Sequence, residues 1–275
     1  MDKQVFNPPL HQDPHAAWRW LRSICRGDRD HDADPPDATP ADLADYEPAE
    51  AAGVLCDRYA PLVAWRGSRP LVVAQLGQSL DGRIATANGH SHFVTGPADR
   101  VHLHRLRALS DGVLVGAGTV VADDPQLTVR SVPGRHPVRI VVCPRDGLDP
   151  THRVFTGGEA PTWVITGEAG QPPSADRVFR PPVGDPPAIL NALAAAGLQR
   201  LLIEGGARTV SAWLAAGLID VLYLTVAPII IGAGPMGLQL PAIDHMDQAL
   251  RPQVQTFPLG RDRLYRLGFS AEAEP

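Results

Sequence analysis

The chain has 275 residues, a formal net charge of −5 and 44% hydrophobic residues, which is the composition of a globular protein. The acidic balance and the 5% aromatic content argue against binding of nucleic acid, which needs basic side chains and stacking rings. No apolar run approaches the roughly 20 residues that span a bilayer and no secretory signal is visible, so we expect a soluble cytoplasmic protein with no membrane partner.

Residues 1–68 lack the alternating strand and helix patterns of the rest of the chain and are predicted to form an N-terminal extension. Asp13 and Pro14 are typical of a helix start, and a helix over 14–26 would carry one apolar stripe. The stripe consists of Ala17, Trp20, Leu21 and Ile24 at helical spacing. Such a stripe is unfavourable in water, so we expect it to dock on the rest of the chain or on a partner subunit.

The remainder of the extension is predicted to be a linker followed by a short helix. Residues 28–40 are rich in Asp and Pro and hold too few apolar side chains to offset the entropy of ordering. A second short helix is predicted over 41–59, ending before Pro61.

Residues 69–275 alternate strand and helix patterns, which predicts one α/β domain with a largely parallel sheet. Helical segments are predicted after Thr95-Gly96-Pro97, around Ile189–Ala196 and around Val210–Gly217. The end of the chain, from Gln253 to Phe269, suggests two antiparallel strands. The other predicted strands are 71–76, 112–115, 138–142, 162–166, 201–203 and a long strand over 221–231 interrupted by Pro228.

Three of these strands end in glycine turns, which is where open α/β sheets bind ligands. The turns are 77–82, 116–119 and 204–206. The turn at 77–82 would let the backbone approach a flat ligand, and the other two would present bare amides at a helix start, where a phosphate is favoured. Each turn alone is typical of a structural loop, whereas three at strand ends favour a binding site. None matches a Rossmann or Walker pattern.

Several polar residues near these turns are candidates for chemistry. Glu204 ends an apolar strand, where a carboxylate has no packing reason to be, and is predicted to be functional. Asp123 and Asp124 either end a helix or handle a proton, and Asp123 is the better candidate for proton handling. Arg107 lies on one helix face with Arg100 and His104, which from spacing alone is a solvated basic face.

No metal site is predicted. The two His-x-His pairs, at 90–92 and 102–104, lack a cysteine or carboxylate to complete a ligand set. The three cysteines are far apart and form no CxxC pair, which also argues against a disulfide framework.

The segments QSLDGRIAT, HSHFVTG, LRALSDGVLVGAGTVVADDPQLTVR, PVRIVV, LLIEGGARTVSAWLAAGLID and APIIIG occur in this order. Over about residues 69–270, the chain resembles the RibD C-terminal family, the reductase domain of the riboflavin-biosynthesis deaminase/reductase, whose fold is similar to dihydrofolate reductase. The resemblance implies NADPH as hydride donor and a ribosylamino-pyrimidinone 5′-phosphate as substrate, with its ribose reduced to ribityl. It also implies a homodimer. The zinc deaminase half has no counterpart, because 1–68 contain neither H-x-E nor P-C-x-x-C.

The resemblance and the glycine turns together give a predicted site. Catalytic roles are predicted for Asp123 and Glu204. Substrate contacts implied by the resemblance fall on Ser91, Arg107, Leu127, Arg130 and Glu204, with Ser91 and the two arginines converging on the phosphate. Arg145 follows a strand end, where it could pair with the 2′-phosphate of NADPH. The predicted cofactor contacts are Gly77, Phe93, Gly116, Gly118, Thr119, Asp123, Arg145, Gly205, Gly206, Ala207, Arg208 and Thr209.

One residue departs from the family pattern. Family members commonly carry a lysine two positions before the first turn glycine, and this chain has Gln75. Two alternatives therefore stay open: a reductase of another small heterocycle or pterin-like compound, and a non-catalytic relative that only binds a nucleotide.

Overall fold

The protein is described by a computed structural model that covers residues 13–26, 51–92, 94–144, 147–167 and 174–269. The linker predicted at 28–40 and the first part of the helix predicted over 41–59 lie outside these residues. The helices are α1 (Pro14–Arg26), α2 (Ala52–Ala64), α3 (Pro97–Leu109), α4 (Ala117–Asp123), α5 (Arg153–Thr156), α6 (Pro186–Ala195) and α7 (Ala207–Ala215). The strands are β1 (Leu71–Ser79), β2 (Gly112–Gly116), β3 (Val138–Cys143), β4 (Thr162–Thr166), β5 (Arg177–Phe179), β6 (Arg200–Glu204), β7 (Val221–Ala227), β8 (Gln253–Leu259) and β9 (Asp262–Gly268).

The strands form one nine-stranded sheet in the order β5-β4-β3-β2-β6-β1-β7-β9-β8. The first seven strands run parallel, and β9 and β8 form an antiparallel hairpin at one side. This confirms the predicted α/β class with a mostly parallel sheet. The helix expected between the 116–119 turn and Asp123 is α4, whereas the sequence did not reveal the short elements β5 and α5. The strand predicted over 221–231 ends at Ala227, because Pro228 cannot donate a hydrogen bond to the ladder.

Side chains that alternate along the strands fill two apolar layers. On one face, Val73 of β1 joins a cluster that includes residues of α1, α2, α3 and the hairpin. On the other face, the neighbouring Val72 and Ala74 pack with residues of α6 and α7. The strands that are buried on both faces therefore read as nearly continuous apolar runs.

The extension docks on the sheet through α1. Asp13 accepts a hydrogen bond from the amide of His15 at 2.9 Å, as expected for a helix cap, and Pro14 opens the helix. Trp18 and Leu21 are buried, and the indole nitrogen of Trp18 donates to the Pro133 carbonyl at 2.9 Å. The division of the chain at residue 68 stays a prediction, but α1 shares one core with the sheet.

The second helix corrects a prediction, because α2 continues through Pro61 to Ala64. A proline has no amide hydrogen, so the carbonyl of Asp57 loses its helical donor. Arg266 of β9 donates to this carbonyl and to that of Arg58, and the Tyr223 hydroxyl also donates to Arg58 at 2.6 Å. Partners from the sheet therefore stabilise a helix that the proline would otherwise end.

The ends of both N-terminal helices are also held from the sheet. The guanidinium of Arg200, at the start of β6, donates to the carbonyl of Cys25 at 2.6 Å and to that of Leu62 at 3.0 Å. These carbonyls lie near the C-termini of α1 and α2, where a cation is favourable for the helix dipole.

A buried histidine joins α2, α3 and the sheet. The Nδ1 atom of His102 lies 2.7 Å from the Tyr59 hydroxyl, and the ring contacts Tyr223. Its Nε2 atom is buried with no hydrogen-bond partner among the described residues. Burial, reinforced by the charges of Arg58 and Arg105, holds the pKa of His102 well below its ordinary value of 6.5.

Replacing Leu21 with Ala should lower the free energy of unfolding by about 2–5 kcal/mol, because it leaves a cavity between α1 and the core. Urea denaturation measures this change. Arg19→Ala on the exposed face of the same helix is the matched control and should change stability by less than about 0.5 kcal/mol. Equal effects of the two substitutions would contradict the docking of α1.

Acidification should destabilise the protein through His102. Its folded pKa is depressed, so between that value and about 6.5 the unfolded chain binds more protons, and stability is lost as the pH falls below about 6.5. Urea midpoints measured across this range should fall less steeply in His102→Gln than in the wild type. The exposed-residue control His15→Gln should keep the wild-type slope. A wild-type slope in His102→Gln would contradict this assignment.

Candidate active site

The three glycine turns lie side by side at the carboxyl edge of the sheet. β1 continues through Gly77 to Ser79, so the first turn begins at Leu80 and not at Gly77 as predicted. The turns follow β1, β2 and β6, and β6 lies between the other two strands. The chain leaves β1, builds β2 to β5 on one side, and returns to insert β6 into the gap. Such a change of direction creates a crevice outside the strand ends.

The turns after β2 and β6 approach each other closely through two threonines. Gly205 and Gly206 have positive φ angles of 63° and 40°, which favour glycine. A Cβ atom at Gly206 would lie 3.1 Å from the Thr119 hydroxyl, and one at Gly116 would lie 3.0 Å from that of Thr209. The glycines thus have a packing role, and the predicted cofactor residues of both turns are brought together.

The same turns offer an open face. No atom lies within 4 Å of where a Cβ would stand at Gly118. Helix α7 begins at Ala207 without a side-chain cap. The Thr209 amide donates to the Gly206 carbonyl at 2.8 Å, which leaves the amides of Ala207 and Arg208 to face an external acceptor. These features fit a phosphate-bearing cofactor.

A buried polar cluster lies beneath the turn after β1. Asp99 accepts hydrogen bonds from Thr225 at 2.6 Å, from Thr95 at 2.7 Å, and from Gln75 at 3.2 and 3.3 Å. Burial raises the pKa of Asp99, and the nearby Asp262 carboxylate adds to this. Gln75 is thus the partner of a buried acid.

Gly77 of β1 lies in a crowded position beside this cluster. A Cβ at Gly77 would lie 2.7 Å from the methyl group of Thr95 and 3.5 Å from the Asp99 carboxylate. A larger residue would require the Thr95 side chain, just before α3, to move, so this predicted cofactor contact also has a packing reason to be glycine.

Two predicted substrate residues are paired with each other. The Arg107 guanidinium of α3 donates to both carboxylate oxygens of Glu204 at 2.7 Å, and the two side chains are about 93% buried. Arg107 also donates to the carbonyl of Thr128 at 3.0 Å. The phosphate role of Arg107 stays a prediction, and in this structure its guanidinium is engaged by Glu204.

The residues after α4 form a tight loop beside this ion pair. Leu127 is buried and has a positive φ of 57°. The exposed Arg130 side chain donates to the Thr128 hydroxyl at 2.6 Å. Its guanidinium is therefore more accessible to a ligand than that of Arg107. Ser91 is partly exposed on the loop before α3.

The two neighbouring aspartates have different environments. Asp124 accepts hydrogen bonds from the amide and guanidinium of Arg153 at 2.8 and 3.0 Å and binds His152, so it holds α5. Asp123 makes none of these contacts. Partial removal from water raises its pKa, and the charge of His92 opposes the rise. This supports the preference for Asp123 as the proton-handling residue, which stays a prediction.

Two predicted cofactor contacts, Phe93 and Arg145, lie outside the described residues. Asp81 accepts hydrogen bonds from the Ser79 hydroxyl at 2.6 Å, within the turn after β1, and from the amides of Ile231 and Gly232 at 3.0 and 2.7 Å. These hydrogen bonds, of which the one from Ser79 has the largest effect, lower the pKa of Asp81 to about 2. Asp81 thus also joins the turn to a distant loop.

The described residues show neither a metal cluster nor a membrane span. No group of three or more His, Cys, Asp or Glu among them could hold a metal ion. No helix in the described part of the chain is long and apolar enough to cross a membrane.

A cavity at the opposite edge of the sheet is lined by Arg66, Arg69 and Arg200. Each of these arginines donates a hydrogen bond to a main-chain carbonyl.

Comparisons with known proteins agree with this architecture. The RibD C-terminal domain family matches residues 70–256. The chain is 36% identical over 208 residues to the 2,5-diamino-6-ribosylamino-4(3H)-pyrimidinone 5′-phosphate reductase of Methanothermobacter thermautotrophicus, covering 70% of this chain and 95% of that protein. It is 35% identical over 227 residues to the riboflavin biosynthesis protein RibD of Mycobacterium tuberculosis, covering 78% of this chain but only 61% of that protein.

A solved structure extends the likeness to the fold. The RibD structure of Acinetobacter baumannii superposes with a TM-score of 0.65 at 28% identity, covering 80% of this chain and 63% of that one. The chain accordingly has the dihydrofolate-reductase-like α/β fold of these reductases. Because the family match spans more than half of the chain, the protein belongs to the RibD C-terminal domain family.

Proposed function

We propose that the chain is an NADPH-dependent reductase that converts the ribose of a ribosylamino-pyrimidinone 5′-phosphate to ribityl. The observation that carries this proposal is the likeness to the archaeal reductase over 95% of its length. The juxtaposed turns, the Arg107–Glu204 pair and the exposed Arg130 support it physically.

The cofactor would occupy the crevice above β1, β6 and β2. The first turn of α7 would bind a phosphate group through its amides, and Thr119 and Thr209 would offer hydroxyl groups beside it. Gly77 and Gly118 would allow close approach of the backbone, with Phe93 and Arg145 as further predicted contacts. When bound, NADPH supplies the hydride.

The substrate would lie on the neighbouring surface. Arg130 and Ser91 would bind the phosphate, because a guanidinium suits phosphate oxygens and a hydroxyl can donate. Glu204, oriented by Arg107, would accept hydrogen bonds from the pyrimidine or sugar. Leu127 is buried, so its predicted substrate contact rests on the resemblance alone. Asp123 would handle the proton that moves when the ribosylamine opens.

Gln75 favours one alternative, a reductase of another small heterocycle. A neutral amide stands where the family commonly has lysine, and it is committed to Asp99. The substrate would then be a heterocycle that does not need a cationic side chain at this position.

The proposal extends to the oligomeric state and the location of the protein. A homodimer is consistent with the exposed apolar side chains of the long segment before β8, which include Ile230, Met246 and Leu250. A cytoplasmic location is consistent with three reduced, buried cysteines.

The function is tested by mixing the purified full chain with NADPH and the pyrimidinone 5′-phosphate. We expect NADPH absorbance to fall and a ribityl product to appear by mass spectrometry, with slower turnover on NADH. Oxidation of NADPH only with a pterin-like compound would favour the alternative reductase. Binding of NADPH without turnover of any substrate would instead indicate a non-catalytic relative. Light scattering on the same sample gives the oligomeric state.

Replacing Arg130 with Ala should reduce catalytic efficiency on the phosphorylated substrate by roughly ten- to a hundredfold, since a charge-assisted hydrogen bond is lost. The dephosphorylated analogue should be affected far less. Arg107→Ala should impair both compounds, because it leaves the buried Glu204 carboxylate unpaired. Steady-state kinetics with both compounds measures these differences. Equal losses on both compounds in Arg130→Ala would refute the phosphate role of this residue.

A further inference from the structure

Two histidines hold the backbone of the loop that carries Arg130. The Nδ1 atom of His104, on α3, accepts a hydrogen bond from the Arg130 amide at 3.0 Å. The Nδ1 atom of His136, just before β3, accepts one from the Val129 amide, also at 3.0 Å. Together with the Arg107 bond to Thr128, three successive residues of the loop are tied to flanking elements.

The loop needs such support. Leu127 has a left-handed backbone conformation that is unfavourable for a branched side chain, so the segment after it would relax without external contacts. The side chain of Arg130 is exposed, so its own packing contributes little to its position. Its guanidinium is directed by the bond to the Thr128 hydroxyl of the same loop, so its position depends on where the loop backbone is held.

The charge state of His104 suits this task. An imidazole nitrogen can accept a hydrogen bond only when it carries no proton. Burial lowers the pKa of His104 to about 3, assisted by Arg107 and Arg100 on its own helix and by Arg130 and His136 from the loop side. Glu204, which is paired with Arg107, is the acid of this network. His104 is therefore a neutral acceptor at any pH near neutrality.

We propose that His104 is a positioning residue for phosphate recognition, which fixes Arg130 by accepting its amide hydrogen, with His136 as a second support. This rests on the proposed function, because the phosphate is that of the proposed substrate. The sequence pattern alone gave His104 only a place on a basic helix face, and neither histidine would need to touch the substrate.

The test compares two substitutions of His104. His104→Phe keeps a ring but removes the acceptor, and we expect the KM for the phosphorylated substrate to rise about tenfold while the KM for NADPH and kcat at saturation stay within about threefold. His104→Asn can present its Oδ1 atom near the position of Nδ1, and it should restore most of the affinity. His15→Phe, on the exposed part of α1, is the control and should behave as wild type.

A second measurement keeps the proposal independent of turnover. Calorimetric titration with ribose 5-phosphate should give about tenfold weaker binding to His104→Phe than to the wild type, with a smaller loss for His104→Asn. If His104→Phe does not fold, the same titration on His136→Phe, with circular dichroism as a folding check, should show weaker binding.

The outcomes separate the two proposals. A wild-type chain that binds ribose 5-phosphate but reduces no pyrimidine would refute the proposed function and leave the histidine support to be judged by the titration. Unchanged affinity in His104→Phe, equal rises in both KM values, or no binding of ribose 5-phosphate by the wild type would overturn the role of His104.

Discussion

The bidentate ion pair between Arg107 and Glu204 is the contact on which the candidate site depends. It joins α3 to the carboxyl end of β6, and the third bond of Arg107 holds the Thr128 carbonyl. Burying two charges is expensive, so the pair contributes little net stability, but loss of one partner typically costs about 3–5 kcal/mol. The helix, the strand and the loop therefore keep one relative geometry, and the Glu204 carboxylate is held in a fixed orientation.

The N-terminal helices are part of the same construction. The Arg266 and Tyr223 donors that satisfy the carbonyls near Pro61 come from β9 and β7, and Arg200 reaches both helix ends from β6. His102 links α2 to α3, the helix that also carries Arg107 and His104. Packing of the extension is thus transmitted to the helix that forms one wall of the site.

Much of the fold could be predicted because buried parallel strands read as apolar runs and their glycine ends mark the functional edge. The strand 162–166 was predicted with its observed bounds. The helix end predicted before Pro61 was wrong, because the donors that compensate for the proline, Tyr223 and Arg266, lie about 160 and 200 residues away.

The site was predicted mainly through the resemblance. Periodicity could not reveal that Arg107 pairs with Glu204, that Asp124 is used by α5, or that His104 binds a backbone amide, since each contact joins separate elements. The buried Asp99 was missed for the same reason, because its contact with Gln75 joins α3 to β1. Its position two residues after Pro97 was the only signal that the sequence offered.

The strand order also has a consequence for how the chain reaches this structure. β1 pairs only with β6 and β7, so residues 71–79 have no sheet neighbour until residues beyond 200 are available. During synthesis, β2 to β4 can begin to pair while the strand that carries the first glycine turn waits. The pairings of β1 with β6 and β7 join residues more than 120 positions apart. The entropy of closing these long loops is lost before the strand contacts form, so we expect slow folding with a late step at β6. We therefore expect the crevice to be completed late in folding, when β6 pairs with β2 and brings β1 into the sheet.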